Sequence, residues 1–190
     1  MKELLNGIKG PFKYLDKDTL ERIISLANFK KYNKGEFLYR EENISQKIFF
    51  LLSGTCRKYY LHEGKEITLE FYFSNDIMIS PKGFIEQEPA GNFVQSLSDV
   101  QVMVLDRNAI DKLMNEFPEL IKLDISYLEY YILWLEKRLL SFQTQDATSR
   151  YLNLLKEDSK LVQNFPLGYI ASYLGISLET LSRIRSKINK

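Results

Sequence analysis

The stretch IASYLGISLETLSRIR, residues 170–185, predicts two short helices joined by a tight turn. Ile170 and Leu174 share the inner face of the first helix, and the alanine after Ile170 is small enough for two helices to cross closely. Gly175 stands at the turn, where a left-handed backbone is cheap only for glycine. Ser177 follows as the expected N-cap of the second helix. This arrangement is typical of a helix-turn-helix.

The second helix of this motif leaves polar side chains on one face. Leu181, Ile184 and Ile188 recur at steps of three and four and are expected to face the core. The opposite face carries Glu179, Ser182, Arg183 and Ser186. Arginine can donate two hydrogen bonds to guanine, and glutamate can accept one from the cytosine amino group. We therefore expect Glu179 and Arg183 to read a half-site of DNA that contains a G·C pair.

Other residues of the motif suit contacts with phosphate. Ser177 and Thr180 lie at the positive end of the second helix, and Arg185 and Lys187 add charge without reading sequence. The whole chain has a net charge of +1, whereas residues 145–190 hold seven bases and four acids. The alternative is an ordinary helical hairpin with a solvated charged face, but turn, cap and charge together favour DNA. The expected DNA-binding residues are Ser177, Glu179, Thr180, Ser182, Arg183, Arg185 and Lys187.

An apolar heptad seam precedes this motif. Its residues recur at spacings of four and three: Ile121, Ile125, Leu128, Ile132, Leu135, Leu139 and Phe142. Pro118 fits the first turn of a helix, and nothing breaks the helix before Thr144, so its length is about 37 Å at 1.5 Å per residue. Packing on the protein's own sheet is the alternative. A repeat held for three heptads favours pairing with a second copy of the chain.

The segment between Phe29 and Leu105 consists of short apolar runs separated by turn residues. The runs are EFLYR (36–40), IFFLLSG (48–54), TCRKYYL (55–61), ITLEFYF (67–73), NFVQSL (92–97) and VQVMVL (100–105). Regularly spaced short strands indicate an antiparallel sandwich or barrel. A helix capped by Asp18 is expected before the strands, and Asp106 and Asn108 are both able to cap another helix after them. Residues 146–157 are expected to form a further amphipathic helix.

The composition excludes several classes of site. One cysteine, Cys56, and one histidine, His62, cannot supply an internal disulfide, a four-ligand zinc site or a four-cysteine iron–sulfur cluster. A jelly-roll enzyme would need metal ligands or a catalytic triad, so we expect no catalytic residues, no metal and no cofactor. No stretch approaches the roughly 18 apolar residues of a membrane span, and the first residues lack the apolar run of a signal peptide. A cytoplasmic location is expected.

The order of these elements resembles the bacterial Crp/Fnr regulators. The resemblance rests on YNKGEFLYREEN (32–43), IFFLLSGTCRKYY (48–60), EGKEITLEFYFSNDI (63–77) and residues 170–185. It implies a cyclic-nucleotide-binding-type β-roll, a long dimer helix and a C-terminal helix-turn-helix. The glutamate and arginine with which family members read DNA fall on Glu179 and Arg183. A further family arginine corresponds to Leu178 here, which leaves the preferred operator open.

The effector loop departs from the family pattern. Family members that bind cyclic AMP hold its phosphate with a Gly-Glu pair and a later Arg-Ser pair, whereas residues 78–97 have Ile79-Ser80 and Ala90-Gly91 there and no arginine. We expect no tight binding of cyclic AMP, because a cyclic phosphate needs a guanidinium and oriented N–H groups. An unidentified small molecule is one possibility, and a dimerisation scaffold without ligand is the other. Loop position suggests Glu70, Ser80, Lys82, Asn92 and Gln95 as effector-binding residues.

We therefore predict an α+β chain with three parts. Residues 1–117 form an N-terminal antiparallel β-roll or jelly roll with flanking helices, 118–144 the dimerisation helix, and 145–190 a winged-helix-like helix-turn-helix domain. The predicted function is a homodimeric transcriptional regulator on an inverted-repeat operator in double-stranded DNA, whose effector is unknown or is not cyclic AMP. The resemblance allows RNA polymerase as a further partner, and no membrane partner is expected. The alternative is a small-molecule sensor dimer that acts through protein partners without binding DNA.

Overall fold

Short strands and amphipathic helices follow one another in the computed structural model, which describes residues 15–188. Within that range the strands are β1 (Asn28–Tyr32), β2 (Phe37–Tyr39), β3 (Lys47–Ser53), β4 (Cys56–His62), β5 (Lys65–Tyr72), β6 (Ile77–Ile79), β7 (Phe93–Ser96) and β8 (Val100–Asp106). The α-helices are α1 (Lys17–Leu26), α2 (Arg107–Glu116), α3 (Glu119–Thr144), α4 (Ala147–Asn164), α5 (Leu167–Tyr173) and α6 (Leu178–Ile188), and Lys82–Glu86 form a π-helical turn. The predicted α+β class is confirmed.

The strands form two four-stranded sheets, with the orders β1-β8-β3-β6 and β2-β7-β4-β5. In the first sheet β8 pairs antiparallel with both β1 and β3, and β3 pairs antiparallel with β6. Because the neighbours of β8 are distant in sequence, the chain must cross between the sheets, as it does in rolls and jelly rolls. The predicted antiparallel roll is thus present.

Two apolar cores explain why β3 and β8 are apolar on both faces. Phe49 and Leu51 of β3 belong to one core cluster, whereas Phe50 belongs to the other. In the same way Val102 of β8 lies in the first cluster and Met103 in the second. Successive side chains of a strand point to opposite faces, so a strand covered on both sides reads as an unbroken apolar run. This explains why the sequences of β3 and β8 do not alternate between apolar and polar residues.

Helices α1, α2 and the start of α3 cover the second core cluster, the one that contains Phe50 and Met103. Its buried residues include Ile23 and Ile24 of α1, Leu113 of α2 and Leu120 of α3. The N-cap of α2 is Asp106, whose carboxylate accepts a hydrogen bond from the backbone N–H of Ala109 at 2.9 Å. The predicted start of that helix after Asp106 is therefore confirmed.

Three local predictions differ from the structure. The N-cap of α1 is Asp16 rather than Asp18, because the Asp16 carboxylate accepts from the Thr19 N–H at 2.8 Å. Strands β1 and β6 were not predicted: most of β1 is exposed, and β6 has only three residues. Helix α4 continues to Asn164 after a non-helical backbone at Asp158, whereas its amphipathic pattern predicted an end near residue 157.

Turn geometry accounts for two glycines. A side chain at Gly54, whose φ is +90°, would place Cβ 2.4 Å from the carbonyl oxygen of Asp99. The β4–β5 hairpin turns at Glu63 and Gly64, which both have positive φ, at 49° and 73°. Two successive positive φ values are typical of the two-residue turns that join antiparallel strands. The connection between β4 and β5 is therefore a tight hairpin turn.

The chain divides into two compact units. The described part of the first unit consists of residues 15–58 and 71–128, and that of the second unit consists of residues 59–70 and 129–188. Residues 119–128 of α3 thus belong to the first unit and the rest of α3 to the second. None of the helices within residues 15–188 is long and apolar enough to span a bilayer.

Candidate nucleic-acid interface

Helices α5 and α6 form the predicted helix-turn-helix in the second unit. Ile170 and Leu181 have no exposed surface, and Leu174 and Ile184 are also buried. These residues are the apolar stripes that the sequence assigned to the inner faces of the two helices. Ile188 differs, because it is 39 % exposed in the last turn of α6, one turn beyond the last buried residue of its stripe. The expectation that Ile188 faces the core is wrong.

The turn between the helices closes with two backbone hydrogen bonds. The N–H of Ile176 donates to the carbonyl of Ala171 at 3.0 Å, and the N–H of Gly175 donates to the carbonyl of Ser172 at 3.0 Å. This is the Schellman pattern, which needs a left-handed residue after the helix. Gly175 supplies it with φ +66°, and a Cβ there would lie 2.9 Å from a ring carbon of Phe142. The turn glycine is therefore required twice, for its backbone and for its size.

The first turn of α6 is capped as the sequence predicted. The Ser177 hydroxyl accepts a hydrogen bond from the Thr180 N–H at 3.2 Å and lies 3.1 Å from the Thr180 hydroxyl. The Glu179 backbone N–H and the Ser177 hydroxyl lower the pKa of the exposed Glu179 carboxyl. Glu179 is thus negatively charged at neutral pH and is able to accept a hydrogen bond from a base.

The polar face of α6 is open to solvent. Glu179, Ser182, Arg183 and Lys187 are exposed with Ser177, whereas Thr180 and Arg185 are half-buried. The Arg183 guanidinium lies along its own helix, with Nε 3.4 Å from the carbonyl oxygen of Glu179 and Nη2 3.5 Å from the Thr180 hydroxyl. Contacts this long are weak, so the guanidinium is available to a partner. The structure brings all seven expected DNA-binding residues onto one short helix and its cap.

Two arginines connect this motif to the end of α3. Arg138 Nη2 donates to the carbonyl oxygen of Tyr173 at 2.9 Å, and its guanidinium lies 3.8 Å from the centre of the Tyr173 ring. Arg150 donates from Nε to the carbonyl of Leu174 at 3.1 Å and from Nη1 to the carbonyl of Gln145 at 2.7 Å. Burial lowers the pKa of Arg138, but an arginine keeps its charge in a protein. Sequence reasoning did not single out either arginine.

The β4–β5 hairpin contacts the first helix of the motif. The Ser172 hydroxyl donates to the carbonyl of Glu66 at 2.8 Å and accepts from the N–H of Thr68 at 2.9 Å. Because β5 is an edge strand, its backbone groups have room for such a partner. Glu70, also on β5, accepts a hydrogen bond from the Tyr131 hydroxyl at 3.0 Å. The hairpin and the helix-turn-helix therefore belong to one unit.

The seven seam residues of α3 are between 41 % and 62 % exposed in the single chain, which places Ile121, Ile125, Leu128, Ile132, Leu135, Leu139 and Phe142 at its surface. This exposure leaves an apolar strip available for a second copy. Phe142 has a second role, because its ring lies 5.2 Å from the guanidinium groups of both Arg138 and Arg150 and close to Gly175.

The residues suggested for an effector lie in different places. Ser80 and Asn92 are buried, Lys82 pairs with Glu88 at 3.0 Å, and Gln95 donates to the carbonyl of Gly35 at 3.0 Å. These side chains lie in the first unit, whereas Glu70 lies in the second. Asn92 Nδ2 donates to the carbonyl of Ala90 at 2.9 Å, and its buried Oδ1 has no hydrogen-bond partner within the described chain.

Two buried cations were missed by sequence reasoning. Arg57 and Lys58 stand side by side on β4 and are 1 % and 4 % exposed. Lys58 Nζ lies 3.5 Å from the carbonyl oxygen of Ile79, which also accepts from the Tyr39 hydroxyl at 3.4 Å. The sequence signal for these buried cations was the pair of charges inside the apolar run TCRKYYL. Lysine and arginine are almost never fully buried without a partner, so a strand that buries both is unusual.

Metal and thiol chemistry have little support here. Residues 15–188 contain no group of histidine, cysteine, aspartate and glutamate placed to hold a metal ion. Cys56 has no exposed surface, and burial raises its pKa to about 12. A thiol with that pKa is almost entirely protonated at neutral pH and is a poor nucleophile. Cys56 is a core residue of the first unit.

Comparisons with known proteins agree with this architecture. Residues 29–117 match the cyclic nucleotide-binding domain family. Electron transport regulator A of Shewanella oneidensis is 24% identical over 191 residues, which cover 93% of this chain and 75% of that protein. The anaerobic regulatory protein of Haemophilus influenzae is also 24% identical, with 93% and 73% covered.

Solved structures share the fold. CLP of Xanthomonas campestris superposes with a TM-score of 0.76 at 16% identity, covering 92% of each chain. The catabolite activator protein of Thermus thermophilus superposes with a TM-score of 0.61 at 21% identity, covering 95% of this chain and 87% of its own. These superpositions show that the overall fold is shared. Over most of its length the chain is thus similar in sequence and fold to regulators of the Crp/Fnr type.

Proposed function

We propose that this protein is a transcriptional regulator that binds a specific inverted repeat in double-stranded DNA as a homodimer. The observation that carries the proposal is the polar face of α6, which is exposed and presents Glu179 and Arg183 one helical turn apart. Relatives named as regulators of electron transport, of anaerobic growth, and of fumarate and nitrate reduction support it. We also propose that it works in the cytoplasm, where DNA and RNA polymerase would be its partners.

The chemistry of the α6 face suits a major groove. Arg183 can donate two hydrogen bonds to O6 and N7 of a guanine, and the ionised Glu179 can accept from the amino group of a cytosine. Ser177 and Thr180 lie at the helix N-terminus, where a phosphate is stabilised by the helix dipole. Arg185 and Lys187 would add contacts with phosphate that hold the helix in place without reading bases.

Two copies are needed to read an inverted repeat. The exposed seam of α3 gives each protomer an apolar strip that a second α3 can cover. On an inverted repeat the two α6 helices would enter successive major grooves about 34 Å apart, one turn of the double helix. The proposed functional parts are residues 1–117, 118–144 and 145–190, with α3 as the dimerisation element.

The proposal is tested by selecting binding sites from random duplex DNA with the purified protein. A recovered inverted repeat would then be used to measure affinity by fluorescence anisotropy at fixed salt. Arg183→Ala should weaken binding by about 1 to 3 kcal/mol and relax the preference at one base pair per half-site. Lys31→Ala is the control, because it removes one exposed positive charge from β1. Failure to enrich any sequence, with no salt-dependent affinity, would overturn the proposal.

A small-molecule effector in the β-roll is a second proposal, favoured by one specific observation. The Asn92 Oδ1 is a buried acceptor without a partner within the described chain, and such groups usually receive a hydrogen bond from water or a ligand. A thermal-shift screen of nucleotides and small acids tests this proposal, with cyclic AMP expected to give no shift. A ligand whose shift persists in Asn92→Ala would contradict it.

A further inference from the structure

The DNA-reading helices are connected to α3 by hydrogen bonds from arginine to backbone carbonyls. Tyr173 and Leu174 end α5, and Gln145 follows the last residue of α3. Arg138 reaches the first of these carbonyls, and Arg150 reaches the other two at once. Carbonyls at helix C-termini carry partial negative charge and lack partners within the helix, so guanidinium groups suit them well. A single planar group on Arg150 thus links the end of α3 to the end of α5.

Apolar packing at this junction is incomplete. A cleft of about 160 Å³ lies between α3, α4 and α5, and Arg138, Phe142 and Arg150 are among the residues that line it. Side chains beside a void lose contacts on that side, so dispersion alone holds the helices loosely there. The arginine donors, which have defined directions, then decide the angle between the helices.

Phe142 completes the junction. The centre of its ring lies 5.2 Å from each of the two guanidinium groups, and the ring is close to Gly175 in the turn. A guanidinium over an aromatic face is attracted by the ring's quadrupole. Arg138 is therefore held by one carbonyl and this ring, and Arg150 by two carbonyls and this ring. The turn of the helix-turn-helix is therefore in contact with α3 through one aromatic ring and two cations.

We propose that Arg138 and Arg150 are positioning residues that fix the angle of α5 and α6 against the C-terminal half of α3. In a dimer joined along α3, that angle would set the separation of the two recognition helices. The inference rests on the proposed DNA binding for its consequence, but the angle itself is a property of the second unit alone. Neither arginine needs to touch DNA for its loss to weaken binding.

The test measures the angle directly with two spin labels. Glu129 on α3 and Ser186 on α6 are both exposed members of the second unit, and each is replaced by cysteine. The native Cys56 is buried with a pKa of about 12, so labelling is confined to the new thiols. Labelled protein is diluted into an excess of unlabelled protein, which leaves mainly distances within one chain. The background protein should give one narrow distance distribution by pulsed electron paramagnetic resonance.

Arg138→Met and Arg150→Met should broaden or shift that distribution and raise the Kd for the selected operator about tenfold. Lys137→Met is the matched control, since Lys137 is the neighbouring cation on α3 and pairs with Glu157 in an exposed ion pair at 2.8 Å. It should change neither the distribution nor the Kd by a measurable amount. Circular dichroism establishes that each variant is folded. Should either methionine variant fail to fold, the lysine variant replaces it, because lysine keeps the charge but lacks the planar fork.

The outcomes separate the two proposals. An unchanged distance distribution in both arginine variants would overturn the positioning role, whatever happens to DNA affinity. If the protein without the labelling cysteines binds no DNA at all, the proposed function fails, while the distance measurement still decides the positioning role. A changed distribution together with an unchanged operator Kd would show that the angle does not govern DNA reading, which overturns that part of the inference.

Discussion

Replacing Gly175 with alanine tests the geometry of the turn between α5 and α6. The residue has φ +66°, and a left-handed backbone costs a residue with Cβ about 1 to 2 kcal/mol. The added Cβ would also lie 2.9 Å from a Phe142 ring carbon, so the ring or the turn must shift. Overpacking of this kind costs about 1 to 3 kcal/mol. Together these effects predict a loss of about 2 to 5 kcal/mol in the free energy of unfolding.

Alanine substitutions at two other glycines separate the backbone cost of a positive φ from the cost of the clash with Phe142. Gly64 has φ +73°, and a Cβ added there would have no atom within 4 Å, so Gly64→Ala should show the backbone cost alone, about 1 to 2 kcal/mol. Gly168 lies in α5 with open space around it, so Gly168→Ala should be neutral or stabilise the helix by up to about 1 kcal/mol. All three glycines belong to the second unit, so the three variants are compared within one set of packed elements.

The assay is urea unfolding followed by tryptophan fluorescence. Trp134 is the single tryptophan of the chain and lies in the second unit, so its emission reports on the unit that carries the change. A double-mutant cycle with Phe142→Ala should give a coupling energy of about 1 kcal/mol or more, because the smaller side chain removes the clash. A loss in Gly175→Ala no larger than that in Gly64→Ala, with no coupling to Phe142, would refute the reasoning.

Two further predictions concern the seam and a helix cap. Ile132→Asp should convert the proposed dimer into monomers, because pairing would bury an unpaired carboxylate from each chain. Sedimentation equilibrium measures the mass. Leu133→Asp is the control: Leu133 is about equally exposed but lies off the seam, so the dimer mass should not change. An unchanged mass for Ile132→Asp would count against the heptad assignment. The Ser149 N–H lowers the pKa of the Asp146 carboxyl below its ordinary 3.8, so this cap stabilises the fold above about pH 4 and the benefit is lost as the pH falls further. Asp146→Ala should therefore lower the Tm at pH 7 and have a much smaller effect at pH 2, and an equal loss at both would contradict the role of the charge.

Most of the fold could be predicted from the sequence because its signals are local. The runs that became β3 and β8 are apolar throughout, since each strand is covered by a core on both faces. The turn at Gly175 and the cap at Ser177 depend on residues within a few positions of each other. Such features leave a pattern in the sequence that needs no knowledge of distant partners.

Features that depend on distant partners left weaker signals. Strand β1 is mostly exposed and is held by backbone pairing with β8, so its side chains show no apolar alternation. Two aspartates stand near the start of α1, and only the backbone geometry decides that Asp16 is the one that caps it. Ile188 continues the apolar stripe of α6, but periodicity does not show where the surface under a helix ends.

The two positioning arginines illustrate this limit most clearly. Arg138 lies between seam residues in the heptad pattern, and Arg150 lies in an amphipathic helix, where a basic residue ordinarily faces solvent. Their partners are the carbonyls of Gln145, Tyr173 and Leu174, and every residue has a carbonyl. A carboxylate partner would be visible in the sequence as an acidic residue. A carbonyl at a helix C-terminus has no such residue type, so it is recognised only once the end of the helix is known. The contact that joins α3 to the helix-turn-helix is thus specified by the positions at which α3 and α5 end. The end of α5 is set by Gly175 and its neighbours more than by any pairing of opposite charges.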